Sequence, residues 1–283
     1  MPDFPIVDAH VHLHDPARLS YGWMRDIPKL DHPHLLPDFD AARGPVDVER
    51  IIFAEVAADP GQHIAEARFI DDLARTDARL CASVAHAPLE RGAAVEPDLA
   101  ALAQIPTVRG IRRLIQGEPD PAFCLEPGFV AAVRLLPKYG FSFDICLKHG
   151  ALAHGMELAR RCPDTMFVLD HIGKPDIRAG LTEPWRSQMR EFAKLPNVSC
   201  KLSGVITEAG PGWTRAQVIP YAEHALDCFG FGRTMFASDW SVSSLTHDYA
   251  TWVDMVDGIV AGASEAEKRS LYRDTARRVY RLV

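Results

Sequence analysis

The chain of 283 residues carries a formal charge of −7, with 47% hydrophobic and 24% charged residues, the balance of an ordinary globular protein. That length admits one or two units, and a barrel of alternating strands and helices fills it as one. The acidic balance, with no stripe of Lys and Arg, excludes a nucleic-acid footprint, and no run approaches the roughly eighteen apolar residues of a membrane-spanning helix.

Eight short apolar runs recur along the chain: PIVDAHVH (5–12), RIIFAEVA (50–57), LCASVAHA (80–87), VRGIRRLI (108–115), SFDICLK (142–148), TMFVLDHI (165–172), NVSCKLSG (197–204) and RTMFASDW (233–240). Near-continuous apolar runs suit strands buried on both faces, as in a parallel sheet covered by helices. Helical periodicity falls between them, in QHIAEARFIDDLART, PGFVAAVRLLPKYG, GALAHGMELARRCP, EPWRSQMREFAKLP and RAQVIPYAEHALDCFG. Several of these stop at Gly or Pro, and a last helix opens with Ser264 and Glu267 at capping-box spacing. An open doubly wound sheet wants a Gly-rich phosphate loop after its first strand, and none is there. The expectation is a single (β/α)8 barrel over residues 1–283, with one long excursion, about 13–45, after the first strand.

The opening MPDFPIVDAH lacks a basic segment before an apolar stretch, so the expected compartment is the cytoplasm. The six cysteines form no CxxC pair and read as small buried hydrophobes rather than a disulfide framework.

Barrel enzymes do chemistry at the C-terminal ends of their strands. The first run ends in His10 and His12, which strand alternation sends to the same side, the natural half of a metal site. The sixth run ends in Asp170-His171 and the eighth in Asp239-Trp240. Polar groups at the ends of apolar strands are costly to bury unless partnered, so together they read as a site rather than as packing.

These same segments carry a resemblance. DAHVH, DHIGKP, KLSG and FASDW, followed by the closing TARRVYRL, resemble the amidohydrolase superfamily, and within it the amidohydrolase-2 branch of sugar lactonases, in order and spacing from Asp8 to the C-terminus. The resemblance implies metal-ligating and catalytic roles for His10, His12 and Asp239, and a catalytic role for His171. It also shows departures. Where two-metal members carry a bridging Lys or Glu at the end of strand four, this chain has Arg112 and Arg113. At the strand-five position of a ligand His it has Leu147 and Lys148, with His149 too late. The expectation is therefore at most one divalent ion, zinc by preference, with a metal-independent reaction left open.

Arg112, Arg113, Lys148, Lys174 and Lys201 fall at or just past strands four to seven, where cations bind hydroxyls or an oxyanion. Trp23 and Trp240 offer flat faces for a sugar ring, and Glu55 and His86 end strands two and three. The expected reaction is hydrolysis of an aldonolactone, a small molecule, in sugar catabolism: Asp239 takes a proton from water, and His171 with Arg112 or a cation holds the oxyanion. The same residues leave room for two other readings, a zinc-dependent decarboxylase and a non-catalytic barrel that binds a sugar acid. A homo-oligomer is left open.

Overall fold

The computed structural model describes residues 2–282. Eight parallel strands form one sheet in chain order: β1 (Ile6–Val11), β2 (Val48–Ala54), β3 (Leu80–His86), β4 (Val108–Arg112), β5 (Ser142–Ile145), β6 (Phe167–Leu169), β7 (Val198–Leu202) and β8 (Thr234–Phe236). Each falls in one of the eight apolar runs except β2, which starts two residues before its run. The ring closes just past the strands: Asp239 N–H donates to the His10 carbonyl at 3.0 Å and His12 N–H to the Trp240 carbonyl at 2.5 Å. This is a (β/α)8 barrel.

Helices α1 (Leu36–Arg43), α2 (His63–Ala74), α3 (Glu96–Leu102), α4 (Pro127–Leu135), α5 (Leu152–Arg161), α6 (Trp185–Phe192), α7 (Val205–Ala209), α8 (Arg215–Phe229), α9 (Tyr249–Ile259), α10 (Glu265–Arg269) and α11 (Thr275–Val279) lie between and after the strands. The capping box at α10 forms as the sequence predicts, with the Glu267 carboxylate accepting from Ser264 N–H at 2.8 Å. The long excursion is ordered by its own contacts. It contains α1 and is pinned by a two-residue bridge, His14 N–H to the His34 carbonyl at 3.0 Å and the reverse at 2.8 Å.

Alternation sorts the apolar residues into two cores. Val7, Ile52, Val84, Val168 and Met235 point to the barrel axis, while Ile6, Ile51, Phe53, Phe143 and Phe167 pack outward under the helices. The inner core is closed by Ala276, Val279 and Tyr280 of the C-terminal segment. Arg281 donates to the Arg109 carbonyl at 2.9 Å, which places that segment at the N-terminal mouth. The opposite mouth is free for a site. Among the described residues the cysteines are unpaired, and no helix is long and apolar enough to cross a membrane.

Candidate active site

His10 near the end of β1 and His12 just past it are both buried and project inward, a break in the β1 register between Asp8 and Val11 letting them share the interior with Val7 and Ala9. The His12 Nδ1 lies 2.9 Å from the Ala54 carbonyl. A carbonyl only accepts, so Nδ1 carries the proton and Nε2 keeps its lone pair. That lone pair faces His10 Nε2 at 3.1 Å and Asp239 Oδ1 at 3.3 Å, and His10 Nε2 lies 3.6 Å from the same oxygen. Asp239 Oδ1 and the two imidazole nitrogens thus converge on one point that a shared cation would join. A tetrahedral zinc-like ion with bonds of about 2.0–2.1 Å spaces its ligand atoms by roughly 3.3 Å. The triangle of His10, His12 and Asp239 fits one divalent cation.

Asp239 reaches this position from a left-handed backbone, φ 61°. Burial alone would raise its pKa, but His171, His12 and His10 outweigh it and hold the carboxyl well below the usual range. His171, also left-handed at φ 53°, brings Nε2 to 3.9 Å from Asp239 Oδ1 and pairs Nδ1 with Ser203 Oγ at 2.9 Å. Gly204 makes this possible: a Cβ there would meet the His171 ring at 2.9 Å. Burial lowers the His171 pKa to about 4, so the ring is neutral at ordinary pH.

Arg112 ends β4 and lies beside the His10–His12–Asp239 triangle. It is 4% exposed, and its guanidinium donates to Glu55 Oε1 at 2.7 Å, to the Glu55 carbonyl, and to Asp170 Oδ2 at 3.1 Å, with His10 Nε2 at 3.2 Å. Glu55 is thus held by Arg112 and by Ala57 N–H at 2.7 Å. Burial would raise the Glu55 pKa, and the Arg112 charge reverses that.

The mouth opens into a cavity of about 370 Å³ lined by His12, Trp23, Glu55, Arg112, His171, Lys174 and Asp239, among others. Trp23 is held by its indole N–H donating to the Val56 carbonyl at 2.8 Å, and the residue is 42% exposed. Four sequence expectations for this cavity fail. Lys201 does not reach it: two residues short of Ser203 along β7, it lies deeper in the barrel, fully buried, with Nζ at 2.6 Å from Asp144 Oδ2 and 3.1 Å from both Asp170 Oδ1 and His10 Nδ1. Trp240 points away, because the turn that aims Asp239 inward sends its neighbour against His34 and Phe39, ring centroids 5.5 Å from each. Lys148, three residues past the end of β5, is exposed. His86 lines an adjoining lobe of about 430 Å³ with His63 and Arg113, which meets the main cavity at Glu55, Ala57 and Leu114.

Sequence reasoning also missed residues. Asp170 was read only as a neighbour of His171, yet it faces both Arg112 and Lys201. Its signal was a second polar residue at the end of an otherwise apolar run. Asp144, inside SFDICLK, carried the same signal. Gln116 and Cys146 line the cavity, and nothing in their local pattern marks them.

With this geometry in place, the comparisons are specific. The chain belongs to the amidohydrolase family, whose model matches residues 7–282. More particularly, it is 33% identical over 87% of its length to an L-fucono-1,5-lactonase of Burkholderia ambifaria, covering 85% of that protein. It is 31% identical over 98% of its length to an L-fucono-1,5-lactonase of Burkholderia multivorans, covering 96% of it. A crystal structure of a Burkholderia multivorans amidohydrolase with bound zinc superposes with a TM-score of 0.87 at 29% identity, covering 99% of this chain and 100% of that one.

Proposed function

We propose that the protein is a sugar lactonase that opens an aldonolactone of the L-fucono-1,5-lactone kind to its hydroxy acid. The observation that carries this reading is the convergence of His10, His12 and Asp239 on one point at the floor of a cavity. That cavity is walled by a guanidinium and an indole and is of a size for one sugar ring. The likeness to two L-fucono-1,5-lactonases over most of the chain supports it.

A divalent ion, zinc by the likeness to the zinc-bound relative, would be held by His10, His12 and Asp239 and would supply Lewis acidity to water or carbonyl. The side chains do the rest. Asp239, ionised throughout the working range, accepts the proton that water loses as it attacks the lactone carbonyl. His171, neutral and fixed by Ser203, and the Arg112 guanidinium stabilise the negative charge that develops on the carbonyl oxygen. Trp23 covers one face of the sugar ring. Both Asp170 oxygens face the Lys201 and Arg112 cations, which supports a single ion rather than two.

The test is to assay purified protein against a panel of aldonolactones by indicator-detected acid release, with metal content measured on the same sample. Opening of a deoxyhexonolactone by protein holding no more than one ion per chain is the expected outcome. Failure to open any lactone defeats the assignment, and two stoichiometric ions defeat the assigned role of Arg112.

A further inference from the structure

A site that opens one sugar lactone in preference to another must read hydroxyls, and reading them takes donors or acceptors that the protein leaves free and holds in place. The Gln116 carboxamide is such a group, and both its backbone and its side chain are fixed.

The backbone is fixed from β5. Pairing of β4 with β5 runs to Arg112 and Asp144, yet the two segments stay joined beyond the strands. The Cys146 carbonyl accepts from Ile115 N–H at 2.9 Å and from Gln116 N–H at 3.1 Å. Glu118 N–H then donates to the Ile115 carbonyl at 3.2 Å, closing a four-residue turn with Gly117 at φ 86° in third place, where a type II turn needs glycine. Arg113 braces the turn by donating to Glu118 Oε1 at 2.7 Å.

The side chain is fixed by the same neighbour. The Cys146 thiol donates to Gln116 Oε1 at 3.6 Å. Burial raises that thiol's pKa to about 11, so it keeps the proton it donates. With the oxygen held, the two Nε2 donors lie at the other end of a planar amide and make no hydrogen bond among the described residues. Gln116 and Cys146 both line the cavity. A carboxamide nitrogen only donates, so it takes an oxygen with a free lone pair, as a sugar hydroxyl offers. Lys174 lines the same cavity, but an ammonium on a flexible stem follows a hydroxyl to several positions, whereas an amide held by its own hydrogen bond does not.

Position selects the hydroxyl. In the closed ring of eight strands, β4 and β5 stand opposite β8 and β1. His10 and His12 come from β1 and Asp239 from just past β8, so the Gln116 wall faces their shared point across the cavity. A six-membered lactone with its carbonyl at that point turns its far side to Gln116, and the ring carbon opposite the carbonyl is C4. We propose that the Gln116 carboxamide donates a hydrogen bond to the substrate hydroxyl at C4 and so selects among sugar lactones, with Cys146 as the residue that positions it. This rests on the lactonase reading.

The experiment measures kcat/KM for the wild type, Gln116→Leu and Cys146→Ala on L-fucono-1,5-lactone and on its 4-deoxy and 2-deoxy forms, with a thermal melt of each protein. Taking the ratio of variant to wild type on each substrate cancels that lactone's own reactivity. Gln116→Leu should lose about tenfold on the parent and the 2-deoxy lactone and stay within about twofold on the 4-deoxy lactone. Cys146→Ala frees the carboxamide to turn end for end and should lose about threefold on the same two substrates only. Equal losses of Gln116→Leu on all three lactones, no loss on any, or a loss that spares the 2-deoxy form instead overturns the role of Gln116 and leaves the lactonase reading standing. Unchanged discrimination in Cys146→Ala overturns the positioning role of the thiol. A folded wild type that opens none of the three lactones defeats the lactonase reading and this one with it.

Discussion

The barrel holds two layers of buried charge a few ångströms apart, and they behave differently. In the deeper one, Lys201 answers Asp144 and Asp170, and the Tyr280 hydroxyl closes the set on Asp144 Oδ2 at 2.5 Å. Each anion there faces a cation or a donor, and Asp144, Asp170, Lys201 and Tyr280 are all fully buried. In the upper one, His10, His12 and Asp239 bring one ligand atom each to a common point, and His12, Asp239, Arg112 and Lys174 line the cavity. Buried charge by itself is therefore no mark of a site. What marks one is buried polar groups that converge on a shared point at the wall of a cavity.

The strongest test of this contrast is at Asp239. Replacing it with Asn should cut turnover by about 10²–10⁴-fold with the melting temperature nearly unchanged, as the proposed role of Asp239 as proton acceptor requires. Retention of more than a tenth of the activity would remove Asp239 from the mechanism. Lys201→Met should do the opposite in kind. Leaving Asp144 and Asp170 buried without their cation costs about 3–5 kcal/mol, read as a fall in the denaturant midpoint. A variant as stable as the wild type would show that the deeper layer is not held by that charge. Trp23→Ala is expected to lose roughly tenfold in kcat/KM on a sugar lactone and little on a small unsubstituted one, because only the former presents a ring face. Equal effects on both would make Trp23 ordinary surface.

The mildest effect sharpens the contrast with a third solution to burial. Glu66 makes no ion pair among the described residues, and burial, reinforced by the Glu55 charge and only partly opposed by Arg112, pushes its pKa up to about 8 from an ordinary 4.5. Between those values the native state holds a proton that the unfolded chain releases, so this group's contribution to stability is full below pH 4.5 and is lost as pH rises through 8. Glu66→Gln should flatten the decline in melting temperature from pH 6 to 8, and an unchanged decline would place its source elsewhere.

Much of this was legible in the sequence. Parallel strands buried on both faces write themselves as apolar runs, and reading the ends of those runs brought His10, His12, His171, Arg112 and Asp239 to one mouth of the barrel. Depth and direction were harder. Lys201 and Ser203 share a parity and differ only in height along β7, which period-two alternation cannot resolve. Trp240 was misjudged because the backbone leaves strand geometry at Asp239, where φ turns positive. The left-handed turn at His171–Lys174 was equally hidden, since of its four residues only Gly173 advertises such a conformation.

The outward turn of Trp240 has a consequence for anyone who would transplant the long β1 excursion to change what the enzyme accepts. Its ring is the socket into which that excursion plugs, through His34 and Phe39, and it is bonded directly to Asp239 in the chain. A donor segment brought in without its own counterparts of those two residues leaves the socket empty one peptide from the Asp239 carboxylate. The exchangeable cassette is therefore the excursion together with its fit to Trp240, and a graft that keeps the tip but replaces positions 34 and 39 should cost activity on every substrate rather than redirect it.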